Sequence, residues 1–186
     1  MLNIDFLKNH HQMIHFFGLG FVQLKIDNNL RIHFYHPDLK PIVPEEEVHN
    51  HRYDFISTIL AGQLKQDLFE VKPGQSDFYM IEENCKENKL IEPEKIPVIL
   101  TPVSSQIFLK GDSYTSLTTE FHTVSTDFAI TRLYRGNIKT DNALIVKNIH
   151  SVPVCPFSKK LTTEECWDIV NDCIKLGQIQ QMENFM

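Results

Sequence analysis

Apolar and polar residues alternate with a period of two through most of the chain between about residue 20 and residue 150. "FVQLKI" and "LRIHFYH" alternate on either side of Asp27-Asn28-Asn29, a turn-forming triplet, and together they predict a β-hairpin. Further strands are predicted in "YDFISTILAG", "QLKQDLFEV", "DFYMIEE", "PVILTPV", "QIFLKGD", "YTSLTT", "FHTVS" and "FAITRLYRG". Pro73-Gly74, Gly111-Asp112 and Gly136-Asn137 punctuate these runs as turn formers. No helical segments intervene to carry parallel crossovers, so the middle of the chain reads as a mainly β, antiparallel sandwich or barrel.

Both ends change period. Residues 4–16 predict a short amphipathic N-terminal helix that sets His11 and His15 at i and i+4, a spacing that can hold metal on a helix face. No third ligand or neighbouring Glu accompanies them, and they read as surface histidines. At the other end, "LTTEECWDIVNDCIKLGQIQQM" repeats apolar residues through Cys166, Ile169, Val170, Cys173 and Ile174, and Thr162 with Glu165 fits a capping box. A C-terminal helix from about 163 to 176 or beyond is expected. The link "HSVPVCPFSKK" delivers it to the outside of the β core, where its apolar stripe needs a partner. The organisation is one domain over 1–186, with a core at about 20–150 and a helical tail at about 161–183.

Composition narrows the classes. With 186 residues, 42% apolar and 23% charged, the chain is of ordinary globular type and long enough to bury a core. The net charge is -6, and the 18 Lys and Arg residues form no block, which argues against nucleic acid or an anionic membrane as partner. No run reaches the ~18 apolar residues of a membrane span, and the N-terminus lacks a basic-then-apolar order, so a cytoplasmic location is expected. A small-molecule substrate is the expected partner, and a homodimer is allowed. The four cysteines include no C-x-x-C pair; Cys166 and Cys173, one heptad apart, read as buried free thiols.

Chemistry concentrates in "EEEVHNHRYDFISTILAG", where His49 and His51 stand two apart at the head of a predicted strand. Side chains at i and i+2 share a face, with Cα atoms ~6.5–7 Å apart, so two imidazoles there can converge on one ion. A two-ligand site is weak and needs a further donor. At this point the sequence resembles the cupin superfamily, whose jelly-roll barrels carry two motifs. The first runs His-x-His, then Glu, then Gly, and is matched here by His49, His51 and Gly62. In the second, a Gly precedes a His at fixed distance, and "GDSYTSLTTEFH" puts Gly111 and His122 in that register. Leu117, Thr119 and Thr126 replace the Pro, Gly and Asn between and after, and Val43 replaces the opening Gly.

The resemblance implies an antiparallel jelly-roll (cupin) barrel and a divalent metal on His49, His51 and His122. The Glu that is a fourth ligand in many cupins falls on Phe55, and strand alternation turns the adjacent Asp54 to the opposite face. The remaining three-histidine set is similar to that of cysteine dioxygenase and related thiol dioxygenases, which implies Fe(II). Imidazole alone would equally suit Zn, Ni or Cu. Three neutral ligands leave the ion its full charge and about three open positions, where an anionic substrate and dioxygen would bind together.

Other residues fall around this site by parity. Tyr53 and Ser57 share the His51 face and are candidate hydrogen-bond donors to it. Arg31, His33 and Tyr35 share one face of their strand, which is either solvated or turned into the pocket, where Arg31 would clamp a substrate carboxylate. Arg132 and Tyr134 share a face of theirs; Arg132 is a second candidate clamp, and the Tyr134 phenol a candidate donor to bound oxygen. Two functions from different classes are compatible with these residues: a non-haem metal-dependent oxygenase acting on a small anionic molecule, and a cupin module that binds a ligand or has a structural or regulatory role without turnover. A metal-free epimerase would not need three converging imidazoles.

Overall fold

The computed structural model describes residues 2–42, 47–82, 94–151 and 160–183. The chain starts with helix α1 (Ile4–His10), whose first turn is capped by the Asn3 side chain accepting from the Phe6 N–H at 2.9 Å. The helix stops there, three residues before strand β1 (Met13–Phe17). This corrects the helix predicted over 4–16. Met13 to Phe17 pair residue for residue with Lys25 to Phe21, so their backbone groups bond to the neighbouring strand and His15 lies on a sheet. The predicted hairpin forms as β2 (Phe21–Lys25) and β3 (Leu30–Tyr35), with Asp27 Oδ1 accepting from the N–H groups of Asn29 and Leu30 at 2.7 and 2.8 Å.

Seven more strands follow: β4 (Val48–His49), β5 (Tyr53–Glu82), β6 (Ile96–Leu109), β7 (Ser113–Ser116), β8 (Phe121–Ser125), β9 (Ala129–Ile138) and β10 (Leu144–Asn148). All described pairings are antiparallel, as the alternation predicts. β5 is the organising element. Its first part pairs with β7 and β9, and from Gln63 onward it pairs with β6, with β8 and then with β10. Gly62 sits at that junction with φ of +71°, and a Cβ there would come 2.1 Å from the Phe128 carbonyl oxygen. Only glycine fits such a position.

Two predicted turns are absent. At Pro73-Gly74 the strand continues, and Pro73 and Phe78 both stand opposite Val98, so the intervening residues bulge out without reversing the chain. Gly136-Asn137 lies inside β9. Gly111-Asp112 does form a turn, between β6 and β7, with Gly111 at φ of +95° and the Leu109 N–H donating to Asp112 Oδ2 at 2.8 Å.

The capping box forms as predicted at the start of α2 (Thr163–Glu183): Thr162 N and Oγ1 donate to Glu165 Oε2 at 2.7 and 2.8 Å, and the Glu165 N–H returns to Thr162 Oγ1 at 3.2 Å. Cys166, Trp167, Val170, Cys173 and Ile174 of α2 share one core with Val22, Leu24, Ile32, Phe34, Ala61 and Ile130. The helix therefore covers one face of the β1–β2–β3–β9–β5 array. Gly177 allows the close approach, since a Cβ there would lie 3.0 Å from that of Ala61. Cys166 and Cys173 are buried free thiols, while Cys85 and Cys155 lie outside the described residues. No described helix is long and apolar enough to cross a membrane. With one face of the array given to α2, the alternate residues of the same strands face the other way, into a cavity.

Candidate metal centre

Three short stretches bring the histidines together. β4 lies between β10 and β8, with His49 opposite His122 on one side and Ile145 on the other. The residue between the two histidines of the His-x-His motif fixes this geometry. Asn50 is buried; its Nδ2 donates to the Thr118 carbonyl at 3.0 Å and its Oδ1 accepts from the Leu144 N–H at 2.7 Å, while its own N–H donates to the Leu144 carbonyl at 3.0 Å. With Asn50 tied to the β10 side and the loop before β8, its neighbours His49 and His51 turn to the cavity.

The three imidazoles form a near-equilateral set, each pair of ring centroids 5.0 Å apart. One ligand atom from each lies within 4.8 Å of the others. His51 Nε2 and His122 Nε2 face each other at 3.0 Å. Metal–nitrogen bonds of ~2.1 Å put neighbouring ligand nitrogens roughly 3 Å apart, so this pair already has coordinating separation. The Nδ1 atoms of His49 and His122 are engaged. His49 Nδ1–H donates to the Glu47 carbonyl at 3.1 Å, which leaves Nε2 as the lone-pair atom. His122 Nδ1 lies 2.9 Å from Gln66 Nε2, one of the two interchangeable ends of that amide, and 3.4 Å from Ser116 Oγ. A Gln66 amide that presents its oxygen accepts from Nδ1–H and frees the His122 Nε2 lone pair. Burial pushes the His122 pKa down to about 3, with His49 adding to the effect, and burial holds His51 well below the ordinary range. Both are neutral, metal-competent bases near neutrality. The donor set fits a divalent ion.

Phe55 closes one side of the triad, its ring edge-on to His51 at 4.8 Å and 6.1 Å from His122. Asp54 points elsewhere: Oδ1 accepts from Thr118 N–H at 2.9 Å and from its hydroxyl at 2.6 Å, and Oδ2 pairs with Lys139. Those bonds, led by Lys139, hold its pKa down at about 2. Among the described residues, no carboxylate joins the three histidines.

The triad opens onto a cavity of about 520 Å³. Arg31, His33 and Tyr35 line it, so their polar face is the pocket wall. Arg31 Nη1 donates to the Tyr53 hydroxyl at 2.8 Å, and the guanidiniums of Arg31 and Arg135 lie 5.4 and 5.2 Å from the Tyr53 ring centroid. Among the described residues, Arg31, Arg52 and Arg135, all at the cavity, pair with no carboxylate. Glu47, also at the cavity, is neutralised by Lys147 at 2.6 Å, with both side chains nearly buried. Ser57 lies in the wall and bonds to Tyr114, whose hydroxyl is pushed up to about 12 by burial.

Arg132 and Tyr134 are not brought to the site. They alternate with the cavity residues Thr131, Leu133 and Arg135 and are exposed on the opposite face. The clamp and donor expected of them lie away from the triad in this structure, and Arg135 is the β9 arginine that reaches the cavity. Sequence reasoning also passed over Asn50, Gln66 and Ser116. Asn50 carried a signal, as the polar residue enclosed by two histidines; Gln66 and Ser116 carried none, since their approach to His122 depends on strand register.

No protein-family model matches the chain, and no curated protein matches it by sequence. The functional argument therefore rests on the site itself.

Proposed function

We propose that the chain is a metal-dependent protein of cupin-like, jelly-roll type, and that it acts as a non-haem iron oxygenase of thiol dioxygenase kind on an anionic small molecule. The observation that carries this reading is the triad: three imidazoles, mutually 5.0 Å apart, joined by no carboxylate of the described residues. A divalent ion held by His49, His51 and His122 would supply Lewis-acid and redox chemistry at open positions.

The chain's own residues supply the rest. Arg31, without an acidic partner among the described residues and braced by the Tyr53 hydroxyl, offers a planar guanidinium to a carboxylate or similar anion. Phe55 takes the place of a fourth donor and keeps that side of the triad dry. Glu47 and Gln66 orient His49 and His122 through their second ring nitrogens. A binding module that holds metal and ligand without turnover is the second reading, favoured by the exposure of Tyr134 and Arg132, which leaves the cavity without those two groups. Oxygen uptake separates the two. Iron-loaded protein is expected to consume oxygen with a member of a panel of thiol and carboxylate compounds, and the His122→Ala variant is expected to lose that activity. Iron-loaded protein that binds a panel member and consumes no oxygen is the binding module.

A further inference from the structure

The cavity extends well beyond the triad. Strand register lays side chains of its wall in rows across β1, β2, β3 and β9. Gln23 stands opposite His33, and His33 opposite Thr131, so these three polar residues form one row. One step along the same face, Phe17 stands opposite Phe21 and Phe21 opposite Tyr35, forming an aromatic row. The Phe17 and Phe21 rings stack at 5.2 Å, and Phe21 lies 4.9 Å from Tyr35 and 4.6 Å from His33. All six residues line the same cavity as the histidine triad.

Such a wall is unusual for the inside of a protein, because Gln23 and Thr131 are buried polar residues, and His33 Nε2 and Arg31 Nε have no hydrogen-bond partner among the described residues. Burial, with Arg31 and His15 adding to it, pushes the His33 pKa down to about 3, so the ring is a neutral hydrogen-bonding group. The volume, about 520 Å³, falls in the range of cavities that enclose drug-sized ligands, roughly 300–1,000 Å³. A few-carbon thiol acid would leave most of it empty.

We infer that this wall is a second ligand-holding subsite, and that the molecule bound at the triad is an extended anion that carries a polar substituent next to its anionic head and ends in an aromatic-sized apolar body. The inference deepens the proposed function: the anionic head lies between the triad and Arg31, the polar group next to it meets Gln23, His33 and Thr131, and the apolar end lies along Phe17, Phe21 and Tyr35, the order in which Arg31, His33 and Tyr35 follow one another on β3.

The test is calorimetric titration of zinc-loaded protein, which is redox-silent, with 2-mercaptopropanoate, its 3-phenyl derivative and its 3-hydroxy-3-phenyl derivative. The phenyl compound is expected to bind about tenfold tighter or more than the parent, and the compound with both hydroxyl and phenyl tighter again. Phe21→Ala, or Phe21→Leu if the first does not fold, is expected to lose the phenyl gain. His33→Phe is expected to lose only the hydroxyl gain, and neither change should alter zinc content. Metal-free protein titrated with propanoate and 3-phenylpropanoate reads the same apolar gain without the ion, so a failure to bind zinc counts against the proposed function alone. Equal affinities within both ligand pairs, or a phenyl gain that survives in both Phe21 variants, would overturn the subsite.

Discussion

At the scale of single residues, position on the backbone decides which side chains meet. His49 and His51 reach one site because Asn50, between them, is tied by three hydrogen bonds to Thr118 and Leu144. Replacing Asn50 with Leu leaves a buried N–H and a buried carbonyl without partners, a cost of about 1–3 kcal/mol. Lower urea midpoints and faster metal loss to a chelator are expected together. Unchanged metal retention in a destabilised variant would show that the histidines are oriented by something other than Asn50. Strand parity also explains how much of the site could be read in advance. The three converging histidines were legible because two of them are two residues apart and the third follows a turn glycine at fixed distance. The arginines were only half legible: alternation groups Arg132 with Tyr134 and Thr131 with Arg135, and nothing local says which group faces in. The answer comes from α2, which covers the Ile130 side of the strand and leaves Arg132 and Tyr134 beyond its reach.

At the scale of elements, the pattern of twos and threes identified types better than ends. The hairpin around Asp27, the capping box at Thr162 and the apolar stripe of α2 were all local signals, and the local bonds they specify are present. The breaks inside β5 and β9 were misjudged because proline and glycine permit a bulge as readily as a turn, and partner strands choose between them. β6 keeps pairing past Pro73, so β5 never turns back. The N-terminal helix was overextended for a similar reason, since pairing with β2 captured Met13–Phe17. Gly62 shows where glycine is required. Its left-handed φ of +71° and the 2.1 Å approach to Phe128 leave no room for a methyl group. Gly62→Ala is expected to lose more than the ~1–2 kcal/mol that a left-handed residue with a Cβ costs, because backbone has to move as well. Thermal unfolding measures it, and a variant as stable as the parent would mean that the β5 junction tolerates another conformation.

At the scale of the whole molecule, one sheet array separates two environments: an apolar core under α2, and a polar, histidine-rich cavity on the other side. Keeping imidazoles uncharged in that cavity links stability to pH. His33 protonates near 6.5 when unfolded but only at about 3 when folded, so between those values the unfolded chain binds the extra proton. Stability from this group is fully present above about 6.5 and is lost as pH falls toward 3. Urea midpoints at pH 7 and pH 5 are expected to drop for the native chain and to drop less for His33→Phe; equal drops would mean that His33 charges in the folded state. The proposed function places an ion among His49, His51 and His122, and metal content tests that most directly. Protein purified without a histidine tag and dialysed against a weak chelator is expected to retain close to one equivalent of a divalent first-row metal, with sharply lower content in each of His49→Ala, His51→Ala and His122→Ala. A native chain that retains none and takes none up on addition of iron or zinc, or full occupancy in all three variants, would contradict the metal site.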